Sequence, residues 1–267
     1  MNYHVPLTVR NAPNFCIMVN TYDDRSGSMH LNVFSYSARG AERRINQDTL
    51  CLADNISTPA NSYRNYSEYE LDQRYKIFCV ADGLGGHSGG EVASHMAVEY
   101  VSTNIRDYTN PEELEAAIQG AHRLINSEAT KIGHLEMATT IAVTLFKADA
   151  ILWANVGDSR IYARDNQEFT QVSIDDIPTG LRSSNMITQC LGGNYANAVT
   201  PHTGCLAIGH INHIAIFSDG VTDFLEDDYL DEIISRDSED PANELCAAAV
   251  KAGSHDDCTA VIINIKR

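Results

Sequence analysis

The chain has 267 residues, 43% hydrophobic and 21% charged, an ordinary globular composition whose length suits one large domain better than several small ones. Its 36 acidic against 19 basic residues give a formal net charge of -17, which repels polyanions and so argues against direct binding of nucleic acid or an acidic membrane surface and in favour of bound cations. No window approaches the roughly 18 consecutive apolar residues of a membrane span, and the start MNYHVPLTVRNAP has no basic segment followed by an apolar run, so the expected location is the cytoplasm.

In chain order, residues 1–28 read as a loose lead-in ending in a first strand, FCIMV at 15–19, and residues 29–267 as a single domain. Alternating or continuous apolar runs predict further strands at LNVFSY (31–36), YKIFCVA (75–81), TTIAVTLF (139–146) and ILWANV (151–156), with IYA, HIAIFS and TAVIINI after them. The polar stretch 54–74 interrupts these signals and is expected to be a surface loop insertion. Helical spacing links Val92, Met96, Tyr100 and Val101, and then Leu114, Ile118, Ala121 and Ile125 after the start signal Asn110-Pro111, which predicts an antiparallel helix pair. A second pair is expected over 224–234 and 241–251.

Strands joined by short turns such as GDSR, with two helix pairs between them, give an α+β class. Two antiparallel β-sheets packed as a sandwich, flanked on each side by antiparallel helix pairs, fit better than an alternating parallel fold. The seven cysteines (Cys16, Cys51, Cys79, Cys190, Cys205, Cys246, Cys258) form no C-x-x-C pair and sit mostly among apolar neighbours, as reduced core thiols do.

The chemistry is concentrated in aspartates that stand where a strand stops. Asp82-Gly83 follows IFCVA, Asp158 lies in VGDSR after ILWAN, and Asp219-Gly220 follows HIAIFS. A carboxylate at a strand end is held rigidly, and a following glycine lets backbone or a bound ion approach closely. Asp48, before TLCLA, and Asp256, before the last strand, complete the set. An isolated Asp-Gly is an ordinary turn, but five converging carboxylates demand cations, and oxygen ligands of this kind suit Mg²⁺ or Mn²⁺.

These residues carry a resemblance over about 34–265 to the metal-dependent Ser/Thr protein phosphatases of the type 2C family, particularly its compact bacterial members. The pattern G-x-x-R-x-x-N-[EQ]-D is met by Gly40, Arg43, Asn46, Gln47 and Asp48, and D-G-x-G-G-H-x-x-G-E by Asp82 through Glu91. Ala138-Thr139-Thr140, the VGDSR at 156–160, the SDG at 218–220 and Asp256 to Thr259 follow in the family's order.

The resemblance implies hydrolysis of phosphoserine and phosphothreonine by a metal-bridging water. Asp82 would bridge two ions, with the Gly83 carbonyl and Asp48 on one side and Asp219 and Asp256 on the other. Asp158 would share a third ion with Asp219, and Arg43 would grip the phosphate with its paired donors. His87, in GGHSGG, is the candidate general acid, because a histidine can donate near pH 7. The resemblance also implies a phosphoprotein substrate made by a cognate Ser/Thr kinase, a monomeric enzyme, and a flap-like region at 177–209 beside the active site.

The sequence departs from the family at Asp176, where a histidine is usual, at Asp257, where an asparagine is usual, and at Leu84, where some members place a histidine. Two rival readings compete with this one. A nucleotide-binding loop at DGLGGHSGG lacks the G-K-[ST] ending. A catalytically silent phosphatase-like binding module is opposed by intact Arg43, Asp48, Asp82, Asp219 and Asp256.

Overall fold

In a computed structural model of the chain, the residues described are 29–58, 61–72, 74–84, 89–105, 111–180, 186–194, 196–236 and 238–267. The strand expected at 15–19 and the lead-in before it lie outside them. In order, the elements are β1 (Met29–Ala38), β2 (Thr49–Leu52), β3 (Asn55–Ser57), β4 (Ser62–Leu71), β5 (Lys76–Ala81), α1 (Gly90–Asn104), α2 (Pro111–Ile132), β6 (Ala138–Thr139) and β7 (Ile141–Phe146). They continue with β8 (Ala150–Val156), β9 (Arg160–Arg164), β10 (Phe169–Gln171), β11 (Leu191–Gly192), β12 (His202–Ala207), β13 (His213–Phe217), α3 (Asp219–Thr222), α4 (Asp227–Ser235), α5 (Pro241–Ala252) and β14 (Cys258–Lys266).

Two six-stranded antiparallel sheets result, one ordered β10-β9-β13-β14-β1-β4 and the other β12-β8-β7-β5-β2-β3, with a two-stranded ribbon of β11 and β6. The period-two side-chain alternation decides what each face covers. On β5, Phe78 and Val80 point between the sheets and join Leu31, Val33, Trp153, Ile216 and Val261. Cys79 and Ala81, one step out of phase, point the other way onto Ala93 and Val98 of α1 and Leu114 and Ile118 of α2.

On β14, Val261 and Ile263 face the inter-sheet core, whereas Ala260 and Ile262 meet Leu230 and Ile233 of α4 and Leu245 of α5. The four layers are therefore helices, sheet, sheet and helices, the expected architecture. Phe78 is fully buried and packs edge-on against Phe146 at 5.4 Å; truncating such a ring to alanine costs about 3–5 kcal/mol. The six described cysteines are all free thiols, four of them buried.

Three expectations change. The stretch 54–74 is not a loop: it carries β3 and β4, and β4 pairs with β1 along ten residues from Met29↔Leu71 to Ala38↔Ser62. It reads as polar because β4 is an edge strand with one face in water, its charges discouraging pairing with another chain, while Tyr63 and Tyr69 on its other face pack against the core. Within 177–209, residues 202–207 form β12, which pairs with β8 at the edge of the second sheet. Finally, GDSR does not close a hairpin, because β8 and β9 belong to different sheets.

That last point positions the site. Register pairs Thr49 with Ala81, Ile141 with Val156, Phe217 with Arg160 and Ala38 with Cys258. The connections carrying Asp48, Asp82, Asp158, Asp219 and Asp256 thus all gather at one end of the sandwich.

Candidate active site

The loop from Gly40 to Asp48 crosses from the first sheet to the second and is splinted by Asp257. The Asp257 carboxylate accepts from the Gly40 N–H and the Gln47 N–H, both at 2.8 Å. A Cβ on Gly40 would come within 2.3 Å of the His255 carbonyl oxygen, so the loop lies directly on the start of β14. Asn46 fixes the loop's end, accepting from the Asp48 N–H at 3.0 Å and donating to Ser37 Oγ at 2.8 Å.

Asp48 itself is fully buried. Its Oδ2 accepts from Ser218 Oγ at 3.0 Å and Thr259 Oγ1 at 2.5 Å; its Oδ1 is buried with no hydrogen-bond partner. Burial first, and then Asp257 and Asp219, push its carboxyl well above the usual range.

Asp82 stands at the end of β5, where Thr139 and Thr140 grip its backbone. The Asp82 N–H donates to Thr140 Oγ1 at 3.0 Å, and its carbonyl accepts from the Thr140 N–H at 2.9 Å and Thr139 Oγ1 at 2.7 Å. The next position must be glycine, since a Cβ on Gly83 would meet the Gly90 carbonyl at 2.4 Å. Burial first, then Asp48, Asp219 and Asp256, drive the Asp82 carboxyl well above the usual range.

Asp219 opens α3 directly after β13, and its Oδ1 is buried without a partner. Burial, then Asp256, push its carboxyl up to about 6. Gly220 allows this turn to sit against β14, because a Cβ there would approach the Asp257 carbonyl oxygen to 2.0 Å. Asp158 follows Gly157, which has φ 96°, and its carboxyl is pushed up to about 8 by burial, then by Asp219, with Asp223 adding to it.

Arg43 meets Asp256 as a fork, Nε to Oδ1 at 2.7 Å and Nη2 to Oδ2 at 2.5 Å. Among the described residues no group of three or more His, Cys, Asp or Glu side chains is gathered tightly enough to hold an ion as they stand. Arg43 engages both oxygens of Asp256, and hydroxyls engage one oxygen of Asp48. Even so the donor set fits hard divalent cations: all oxygen, preheld on strand ends, with two buried carboxylate oxygens lacking any partner.

The expected ligands thus come together in two overlapping groups, Asp48, Asp82, Asp219 and Asp256 by their mutual repulsion, and Asp158 beside Asp219. His87 lies outside the described residues. A cleft of about 320 Å³ opens over the cluster, lined by Arg43, Asp219, Asp223, Phe224, His255 and Asp256 among others. Asp223 adds a carboxylate to the cleft wall; its signal in the sequence is the four-residue spacing from Asp219, one helical turn. Its carboxyl is raised by burial, which Arg160 opposes.

A family model described as protein phosphatase 2C matches residues 66–249. The serine/threonine phosphatase stp of Listeria innocua is 27% identical over 224 residues, covering 74% of this chain and 88% of that protein. Protein phosphatase PhpP of Streptococcus pneumoniae is 27% identical over 244 residues, covering 81% and 97%. The crystal structure of serine/threonine phosphatase Stp1 from Staphylococcus aureus superposes with a TM-score of 0.73 at 21% identity, covering 88% of this chain and 95% of that one. Matched by that family model over well over half its length, and sharing the fold of the solved phosphatases, the chain belongs to the protein phosphatase 2C family and is a serine/threonine protein phosphatase.

Proposed function

We propose that Asp48, Asp82, Asp219 and Asp256, with the Gly83 carbonyl, hold two divalent cations, Mg²⁺ or Mn²⁺, and that Asp158 and Asp219 hold a third. The observation that carries this reading is the pair of buried, partnerless oxygens Asp48 Oδ1 and Asp219 Oδ1, on the two carboxylates that most strongly oppose ionisation of Asp82. Buried carboxylates in such proximity are costly unless cations lie among them. A solved relative in fold, the catalytic domain of the phosphatase PstP, is in complex with two manganese ions at TM-score 0.70 and 23% identity, covering 90% of this chain and all of that one, which supports the same count here.

When bound, such cations lower the pKa of water toward neutrality and neutralise phosphate charge. The chain's own residues do the rest. Thr139 and Thr140 fix the Asp82 backbone at the end of β5, so its side chain leaves the strand from a set position toward the other aspartates. Arg43 offers a two-pronged donor set, which fits two phosphate oxygens as well as it fits Asp256; substrate phosphate and Asp256 compete for it. His87 donates the proton to the leaving alkoxide. His255, which lines the cleft beside Asp256, is the second candidate for that step.

The substrate on this reading is a phosphoserine or phosphothreonine protein made by a cognate kinase, and the enzyme works as a monomer in the cytoplasm. No helix among the described residues is long and apolar enough to cross a membrane. Phosphate release from phosphothreonine, phosphoserine and phosphotyrosine peptides, each with Mn²⁺, Mg²⁺ or chelator, tests it. Metal-dependent turnover of the first two is expected. Equal turnover in chelator would contradict it.

A further inference from the structure

Asp176 stands outside the carboxylate cluster yet makes more contacts than any turn residue needs. Its Oδ2 accepts from the Gly157 N–H at 2.8 Å, and its own N–H donates to the Gly157 carbonyl at 3.0 Å. Gly157 is therefore clamped on both backbone groups, in a left-handed conformation (φ 96°) that brings Asp158 off the end of β8. From the other side, Ser159 Oγ meets Thr140 Oγ1 at 2.7 Å, and a Cβ on Gly157 would strike Thr140 Cγ2 at 2.7 Å. The turn carrying Asp158 is thus held by Asp176 on one side and by Thr140 on the other.

Among the described residues, the other hydrogen-bond partners of Asp176 lie further along the chain, at Thr188, Gln189 and His202. His202 Nε2 lies 2.9 Å from Oδ1, and Gln189 Nε2 donates to both oxygens at 3.1 Å. Gln189 is itself fastened to Thr200, donating to its carbonyl at 3.1 Å and accepting from its N–H at 2.5 Å. The Thr188 N–H donates to the Asp176 carbonyl at 2.6 Å. Asp176 is buried, and both of its carboxylate oxygens accept from protein donors.

We propose that Asp176, braced by His202 and Gln189, is a positioning residue that sets the Asp158 carboxylate for its cation and couples that site to the chain at Thr188, Gln189 and His202. The proposal rests on the reading of Asp158 as a metal-holding residue. Groups that orient a ligand in this way typically control metal affinity by about 10–100-fold. An aspartate serves better than a neutral residue here because its two oxygens accept from three donors at once, the Gly157 N–H, His202 Nε2 and Gln189 Nε2, without offering a hydrogen to the Gly157 N–H.

The test uses the full chain and the variants Asp176→Ala, His202→Gln and Asp158→Asn. Three quantities are read for each: the Mn²⁺ concentration giving half-maximal turnover, calorimetric Mn²⁺ binding, and amide exchange of the peptide containing Gly157. Asp176→Ala is expected to raise the half-maximal Mn²⁺ at least about tenfold, to weaken the last-binding ion in calorimetry, and to speed exchange at the turn. His202→Gln, a milder change that leaves the core untouched, is expected to shift the same quantities in the same direction by a smaller factor, and it carries the test should Asp176→Ala fail to fold.

An Asp176→Ala protein that melts earlier but keeps the wild-type Mn²⁺ dependence would reduce Asp176 to a structural role and overturn the proposal. So would an unchanged His202→Gln. If Asp158→Asn itself leaves the Mn²⁺ dependence unmoved, the metal role of Asp158 falls and this proposal with it; if Asp158→Asn shifts and the other two do not, only the proposal falls.

Discussion

Replacing Asp219 by asparagine in metal-free buffer should stabilise the protein while removing its activity. The Asp219 carboxyl rises from an ordinary 3.8 to about 6 in the fold, so at pH 7 the native state carries an ionised group it disfavours by about 3 kcal/mol. That figure is a ceiling, because Asp219 is only half-buried. The sign follows from the raised value: the penalty is absent below the unfolded value near 4, grows as pH climbs, and is complete above about 6.

Asp219→Asn should therefore gain up to about 3 kcal/mol at pH 7, about half of that at pH 5, and nothing near pH 3. At about 2–4 °C per kcal/mol for a chain of this size, the melting temperature in chelator should rise by several degrees at pH 7. Differential scanning calorimetry at the three pH values measures it, and a Mn²⁺ arm should reverse the order, stabilising the wild type more than the variant. A lowered melting temperature at pH 7 in chelator, or a gain independent of pH, would refute the reasoning that burial and the neighbouring Asp256 make an ionised Asp219 costly.

Three further outcomes follow from single contacts. Arg43→Lys keeps the charge but loses the fork, and the loss of one charged hydrogen bond, about 1.5–3 kcal/mol, should lower kcat/KM by about 10- to 150-fold; steady-state kinetics on a phosphothreonine peptide reads it. His87→Gln should remove the basic limb of the kcat–pH profile while His255→Gln leaves it in place, and the reverse pattern would transfer the proton-donating role to His255. Gly220→Ala drives a methyl into the Asp257 carbonyl and should destabilise by about 1–3 kcal/mol, visible as a lower urea midpoint; an unchanged midpoint would mean the α3 turn is free to shift.

Much of the site was legible because each ligand candidate sits where an apolar run breaks, and a run of Phe78 to Ala81 followed by Asp82-Gly83 reports its own geometry. The sandwich was legible for the same reason: buried strands such as β7 and β8 are apolar on both faces. β4 was not, because its exposed face fills half its positions with Arg64, Tyr66, Glu68 and Glu70, and its partner β1 lies more than twenty residues away. Long-range pairing of that sort leaves no mark within a short window.

β12 escaped for a similar reason, its six residues all half-buried or exposed. The work done by Asp257 and Asp176 was hidden differently. Both were visible as departures from a family pattern, but what they hold, the Gly40 and Gln47 amides in one case and Gly157 in the other, depends on chain crossings between the two sheets. Asp223 needed only the recognition that a helical turn begins at Asp219.

The most direct test of the account is Asp82→Asn, assayed for phosphate release from a phosphothreonine peptide with Mn²⁺ and, in parallel, for Mn²⁺ binding by calorimetry and for folding by circular dichroism. The expected result is a folded protein with turnover lost and the tight Mn²⁺ sites gone. A folded Asp82→Asn protein that still binds Mn²⁺ as the wild type does and still releases phosphate would contradict it.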